Sequence, residues 1–268
     1  MGISNYNTLE TSWTKINGTN DIRLLSPILR EQHFSITILL DASATAQNIR
    51  TEFKQLIQDS QKGDTIYLHF SCHGQPVEDK NGDEEDGWDE SIIPIDAHLM
   101  YQEGIYEGQN HITDDEIDSV LSLLREKVGI SGCVYLIIDA CHAGTAVRNE
   151  NMDESFTPFR GTNMGFSKNN IYRPKHQRCT SYIKLPKKSP NQQLSNVIVL
   201  EACLATQRNQ EISVQDVLYG PLSYSLFMVM SHHGLECSKQ WLSYIQNSMH
   251  SVLPPWSNQQ MVIETNIP

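Results

Sequence analysis

A cysteine and a histidine stand just beyond two apolar runs in this chain. Leu136-Ile137-Ile138-Asp139-Ala140 leads into Cys141-His142-Ala143-Gly144, and Thr65-Ile66-Tyr67-Leu68-His69-Phe70-Ser71 leads into Cys72-His73-Gly74. Short apolar runs rich in β-branched residues and closed by a turn-former read as buried strands. In open α/β sheets the strand C-termini are where ligands bind. A cysteine and a histidine at two such tips can form a thiolate–imidazolium pair, the core of a cysteine hydrolase. The competing reading is a core cysteine and a loop histidine that never meet, because free cysteine commonly serves as a small apolar residue. Two strand ends, each with glycine close behind, favour the pair. His142 competes with His73 as the base, but adjacent side chains on an extended tip diverge. Cys72 competes as a nucleophile, against a plain packing role.

The elements that must carry these tips follow from the apolar spacing. Helical spacing predicts helices over 20–31, 45–61, 221–232 and 239–249. Another helix opens at Thr113-Asp114-Asp115-Glu116, which has the form of a capping box. Strands are predicted over 35–40, up to Ser71, up to Asp139, over 196–202 and over 260–264. Strands alternating with helices imply a mainly parallel sheet covered on both faces. Residues 75–106 read as a long acidic loop. Residues 149–196 are polar, irregular and too long for an ordinary connection, so they are either functional or disordered.

Composition narrows the function classes. The 268 residues suit one large α/β domain, and 39% hydrophobic with 19% charged residues is ordinary for a globular protein. A net charge of −12 argues against a nucleic-acid partner and is compatible with cationic substrates or metal ions. The six cysteines have no CxxC pair and no disulfide-scaffold spacing, which reads as free thiols in a reducing compartment. No run is long enough to span a membrane and no signal segment is visible, so a cytoplasmic location with no membrane partner is expected.

With the motifs in view, the chain resembles the caspase-like cysteine peptidases (clan CD, family C14), most closely the metacaspases and bacterial orthocaspases. Ser71-Cys72-His73-Gly74 is similar to the family's Ser-Gly-His-Gly box, and Asp139-Ala140-Cys141-His142-Ala143-Gly144 to its Asp-x-Cys-His-Ser-Gly box. Gly82 to Glu90, followed by Pro94 and Asp96, resembles the acidic metacaspase loop, and Gly18-Thr19-Asn20-Asp21 the early Gly-x-x-Asn-Asp box, one residue short. The resemblance spans nearly the whole chain. It implies one caspase-like domain over 1–268, a three-layer sandwich with a mainly parallel central sheet and an inserted segment at 149–196. The family's first core strand normally precedes the segment matching Gly2-Ile3-Ser4-Asn5-Tyr6, which leaves an incomplete sheet edge.

The resemblance also implies roles. Cys141 is the nucleophile and His73 the proton carrier, with the backbone N–H groups of Gly74 and Cys141 as the oxyanion hole. Asp139, Asp21 and Ser71 match the pocket that takes arginine or lysine before the scissile bond, where a cation would make charge-assisted hydrogen bonds. Against this stand plainer roles, a strand-end cap for Asp139 and a helix-start acid for Asp21. The expected activity is a cysteine endopeptidase acting on proteins or peptides with basic residues, a monomer by preference. The alternative is a catalytically silent caspase-fold module that binds partners. A zinc hydrolase lacks compact ligand spacing.

Two charged segments complete the reading. Nine acids lie between Glu78 and Asp96, with Lys80 the only base, and hard oxygen clusters suit calcium. The resemblance adds Asp114 and Asp115 to loop acids such as Asp86 and Asp89 as calcium ligands. Arg148, a cation where the family site places an acid, weighs against it, so no cofactor is required and a solvated acidic loop stands beside a calcium site. Between Arg148 and Lys188 there are nine bases. They read either as a solvated loop or as self-cleavage sites after Arg160, Lys168, Arg173, Lys175, Arg178, Lys184, Lys187 or Lys188, because exposed flexible loops concentrate proteolysis.

Overall fold

A computed structural model describes residues 1–84, 86–141, 158–162, 164–169, 194–205 and 207–267. In chain order the elements are α1 (Thr8–Thr11), α2 (Gly18–Glu31), α3 (Ala46–Asp59), β1 (Thr65–Ser71), β2 (His73–Glu78), β3 (Trp88–Ile93), β4 (Ile112–Thr113) and α4 (Asp114–Val128). There follow β5 (Cys133–Asp139), β6 (Asn196–Glu201), β7 (Ile212–Val214), β8 (Val217–Tyr219), α5 (Pro221–His233), α6 (Lys239–Val252) and β9 (Val262–Thr265).

The central sheet runs β1-β5-β6-β9. β1, β5 and β6 are parallel and β9 closes one edge antiparallel. β5 is buried from end to end, as its unbroken apolar run requires for a strand covered on both faces. Its alternate residues serve two cores. Val134, Leu136 and Ile138 pack with α3 and α4 residues such as Phe53 and Leu121. Tyr135 and Ile137 pack with Leu25, Leu226 and Trp241 from α2, α5 and α6. Each fully buried aliphatic side chain contributes about 1.5–3 kcal/mol, so the sheet is held from both sides.

Local signals set the helix ends. The Thr45 side chain accepts the Asn48 N–H to start α3, and Ser238 accepts the Trp241 N–H to start α6. α4 and α5 each stop at a glycine of positive φ, Gly129 (φ 64°) and Gly234 (φ 71°), a backbone that glycine adopts without steric cost.

Three expectations need correction. Residues 35–40 form no regular strand. An apolar cavity of about 300 Å³ separates them from β1, and among the described residues they pair with no strand. Only Gly2 reaches across, bridging Leu40 and Ser71, while the Met1 amino group donates to the His69 carbonyl at 2.7 Å. The first residues thus cover only the end of β1's edge. The stretch 75–106 is not all loop, because β2 and β3 pair antiparallel from His73↔Ile93 to Glu78↔Trp88. The Thr113 side chain makes no cap hydrogen bond; its backbone belongs to β4, opposite Ser91. Among the described residues no helix is long and apolar enough to cross a membrane.

Candidate functional site

The site lies where β1 and β5 end. Ser71 and Asp139 are register partners on neighbouring parallel strands. His73 and Cys141 each follow by two residues, so the parallel register carries both to the same end of the sheet. Gly18, at the start of α2, packs against this end so closely that a Cβ would collide with the Ser71 carbonyl.

His73 is fully buried, its ring stacked on Trp13 at 4.7 Å and tilted against Tyr6 at 4.9 Å. Its Nε2 lies 2.9 Å from the Thr14 carbonyl oxygen. A carbonyl only accepts, so Nε2 carries the hydrogen. Among the described residues Nδ1 has no hydrogen-bond partner, and it holds the free lone pair. Burial pushes the His73 pKa down to about 4, so the ring is neutral at pH 7. Cys141 is buried, and its thiol donates to the Gln207 carbonyl at 2.8 Å. Cys203 sits beside it. Gly74 lies in β2, opposite Ile92. Cys72 is a core residue whose thiol burial pushes up to about 12. His142 lies outside the described residues.

Arg160 is the unexpected occupant. The sequence leaves it either in a solvated loop or as a self-cleavage site, and it is fully buried. Its Nη1 donates to Asp21 Oδ2 at 2.6 Å and to Ser71 Oγ at 2.7 Å, with Asp139 Oδ1 at 3.4 Å. Its Nε and Nη2 donate to Glu211 Oε1 at 3.1 and 3.0 Å. The Arg160 N–H donates to the Asn209 carbonyl at 3.0 Å, and the Arg160 carbonyl accepts the Cys141 N–H at 2.7 Å. One step back, the Glu211 N–H donates to the Pro158 carbonyl at 3.0 Å, and Phe159 bridges antiparallel to Gln210. Residues 158–160 therefore lie as an added strand along 209–211. Arg208 caps Phe159, its guanidinium 4.6 Å from the ring centre.

The acids around Arg160 are themselves fixed. Asp139 accepts Asn209 Nδ2 at 2.7 Å and both the N–H and Oγ of Ser223, at 2.7 and 2.6 Å. Asp21 accepts the Gly220 N–H at 3.0 Å and the Ser71 hydroxyl. Glu211 accepts the N–H and Nδ2 of Asn17 at 2.7 and 2.6 Å. Burial pushes Asp21 up to about 7 against the pull of Arg160. Burial alone would lower Arg160, but Asp21, Asp139 and Glu211 together hold it above the usual arginine value. Three carboxylates around one guanidinium form a pocket that requires a cation.

Asp139, Asp21 and Ser71, the residues the sequence singles out, thus converge on one guanidinium. Glu211, Asn209, Ser223 and the Thr14 carbonyl were missed. Lys168 is exposed and pairs with Glu103 at 2.5 Å. Arg173, Lys175, Arg178, Lys184, Lys187 and Lys188 lie outside the described residues.

In the acidic segment, carboxylates of Asp79, Asp83 and Asp89 lie within 4.8 Å of one another. Burial, then Asp115, Asp79 and Asp83, push Asp89 up to about 7; burial, then Asp89, push Asp114 up to about 8. Asp115 accepts Asn81 Nδ2 at 2.7 Å, and Asp86 accepts the Trp88 N–H at 3.2 Å. Of the predicted ligands, Asp89 belongs to the cluster, Asp114 and Asp115 adjoin it, and Asp86 is engaged with its own turn.

A parallel sheet with a cysteine and a histidine beyond adjacent strand ends is the caspase-like arrangement. Residues 4–150 match the metacaspase, peptidase C14 domain, and the chain belongs to that family. It is 34% identical over 139 residues to Metacaspase-1B of Aspergillus fumigatus, a match covering 48% of this chain and 31% of that protein. It is 24% identical over 262 residues to Metacaspase-1 of Mycosarcoma maydis, covering 87% and 62% respectively. The Metacaspase-1B match thus spans about a third of that relative's length. A solved structure of a protein from Geobacter sulfurreducens has the same fold, with a TM-score of 0.63 at 20% identity, covering 98% of this chain and 90% of that one.

Proposed function

We propose that this chain is a cysteine endopeptidase that cleaves after arginine or lysine and processes itself. The observation that carries the reading is the pose of Arg160: side chain among three acids, N–H on Asn209, carbonyl on the Cys141 N–H. That is how an extended substrate residue preceding a scissile bond would be held, by strand addition and a side-chain pocket. The Arg160–Gly161 bond is then the one presented to Cys141.

The chemistry follows from the groups present. The Cys141 sulfur lies 2.8 Å from the Gln207 carbonyl oxygen, a contact that a thiol makes as donor. His73 Nδ1, bare and neutral, takes its proton. Sulfur attacks the carbonyl carbon, and the Cys141 N–H, with the Gly74 N–H, stabilises the oxyanion; one such donor is worth about 3 kcal/mol. The Thr14 carbonyl steadies the imidazolium through Nε2–H. The same proton then passes to the leaving amine, and water hydrolyses the thioester.

Fluorogenic peptides test the pocket. Those ending in arginine should be cleaved fastest. Lysine should be slower by about tenfold, since a compact ammonium cannot reach Asp21 and Glu211 at once as a guanidinium does. Peptides ending in aspartate should be inert, and a preference for them would overturn the reading.

The acidic cluster fits a hard divalent cation, with Asp79, Asp83 and Asp89 as ligands and calcium the natural choice. Bound there it would neutralise the loop joining β2 to β3. Asp89 and Asp114 titrate above the ordinary 3.8, so the folded chain holds their protons more tightly than the unfolded one. The stability this contributes is complete below about pH 4 and is lost as pH rises through about 7 to 8. Metal-free chain should therefore lose Tm between pH 6 and pH 8.5, and millimolar calcium should restore it. Calorimetric titration should show weaker calcium binding at pH 6 than at pH 8; no binding at either pH would rule the site out.

A further inference from the structure

We propose that Cys133 and Cys237 form a reversible disulfide that links the two sides of the segment in which the chain would be cut. Their sulfurs lie 2.6 Å apart, inside van der Waals contact. Cys133 is the first residue of β5 and is buried, whereas Cys237 lies between α5 and α6 and is partly exposed. Cys237 directly precedes Ser238, whose side chain caps α6, so both sulfurs sit on fixed backbone. The hydrogen bond from Cys133 lowers the Cys237 thiol to about 7. A thiol titrating near ambient pH is the best attacker in disulfide exchange.

The oxidant required is a low-molecular-weight disulfide such as oxidised glutathione. The Cys237 thiolate attacks one glutathione sulfur, and the first glutathione leaves as its thiolate. Cys133 then gives up its proton and attacks the Cys237 sulfur of the mixed disulfide, expelling the second glutathione thiolate. Two protein thiols are oxidised by two electrons, and one glutathione disulfide is reduced to two thiols.

The pair is separated by 104 residues, and that interval holds Cys141, Arg160 and the bases up to Lys188. Any single cut within it leaves one cysteine of the pair on each fragment. Oxidised, the processed enzyme would be one covalent unit; reduced, two fragments held by the shared sheet. The bond itself does not depend on the proposed peptidase activity, so its test is made without it.

The experiment is maleimide labelling and peptide mapping of the full chain after equilibration with oxidised glutathione. A cross-linked Cys133–Cys237 peptide should replace both labelled cysteines and vanish on adding dithiothreitol. In Cys237→Ser, Cys133 should remain a free thiol under the same treatment. Persistence of labelled Cys133 in the wild-type chain, or its cross-linking to a different cysteine, would overturn the proposal.

Discussion

Purified wild-type chain should cut itself at Arg160–Gly161, giving two bands on a reducing denaturing gel and a new N-terminus at Gly161. Arg160 is the basic residue whose backbone and side chain are both already engaged: its carbonyl accepts the Cys141 N–H at 2.7 Å. Lys168, by contrast, is committed to a surface pair with Glu103. Arg160→Gln should abolish the cut. It also strips the Arg160 guanidinium from three buried acids, a loss of the kind that costs about 3–5 kcal/mol, so its thermal stability should fall as well. Arg160→Lys keeps the charge and separates the two effects. It should fold, and cut about tenfold more slowly, because lysine loses the two-sided grip on Asp21 and Glu211. Gly161→Ala should block cutting differently, because a Cβ there would strike the Cys141 carbonyl and push the strand out of register. Cutting that persists unchanged in Arg160→Gln would mean that this pose is not the reactive one.

Cys141→Ala should remain a single band and lose at least about a thousandfold in kcat/KM on arginine peptides, the scale seen when a nucleophile or its base is removed. His73→Ala should lose a comparable factor. Its ring also fills the space between Tyr6 and Trp13, so His73→Ala will lower Tm as well. His73→Gln, closer in volume, shows whether activity follows the ring nitrogen or the packing. In the proposed mechanism His73 and Cys141 act as one unit, so the double variant should be scarcely worse than either single one. Cys72→Ala should keep most turnover, since Cys72 sits in the core cluster with Ile92 and Ile138. Retained activity in Cys141→Ala would end the proposed mechanism.

The strand tips were legible because β5 and the end of β1 are buried, and burial leaves an unbroken apolar signature in the sequence. Asp139, Ser71 and Asp21 were legible only through resemblance; their spacing along the chain says nothing of their meeting. Thr14 meets His73 through a backbone carbonyl, which no residue type announces. Glu211 and Asn209 lie between β6 and β7, where no periodicity singles them out. For Arg160 the sequence leaves a solvated loop and a self-cleavage site side by side, because a base in a polar stretch looks the same in either. Its burial depends on acids supplied by segments up to 139 residues away. The error at 35–40 has its own cause. The local alternation is strand-like, but a strand also needs a neighbour, and pairing is not written in the segment itself.

A pocket filled by a residue of its own chain has a built-in competitor. After a cut at Gly161 the new carboxyl end of Arg160 would still sit on the Cys141 N–H, tethered through β5 at an effective concentration in the millimolar range. An external substrate then meets a vacant pocket only for the fraction of time that end is away, and its apparent affinity is divided by that fraction. Whatever loosens residues 158–160 from 209–211 would raise turnover on other proteins without touching a single group at the nucleophile.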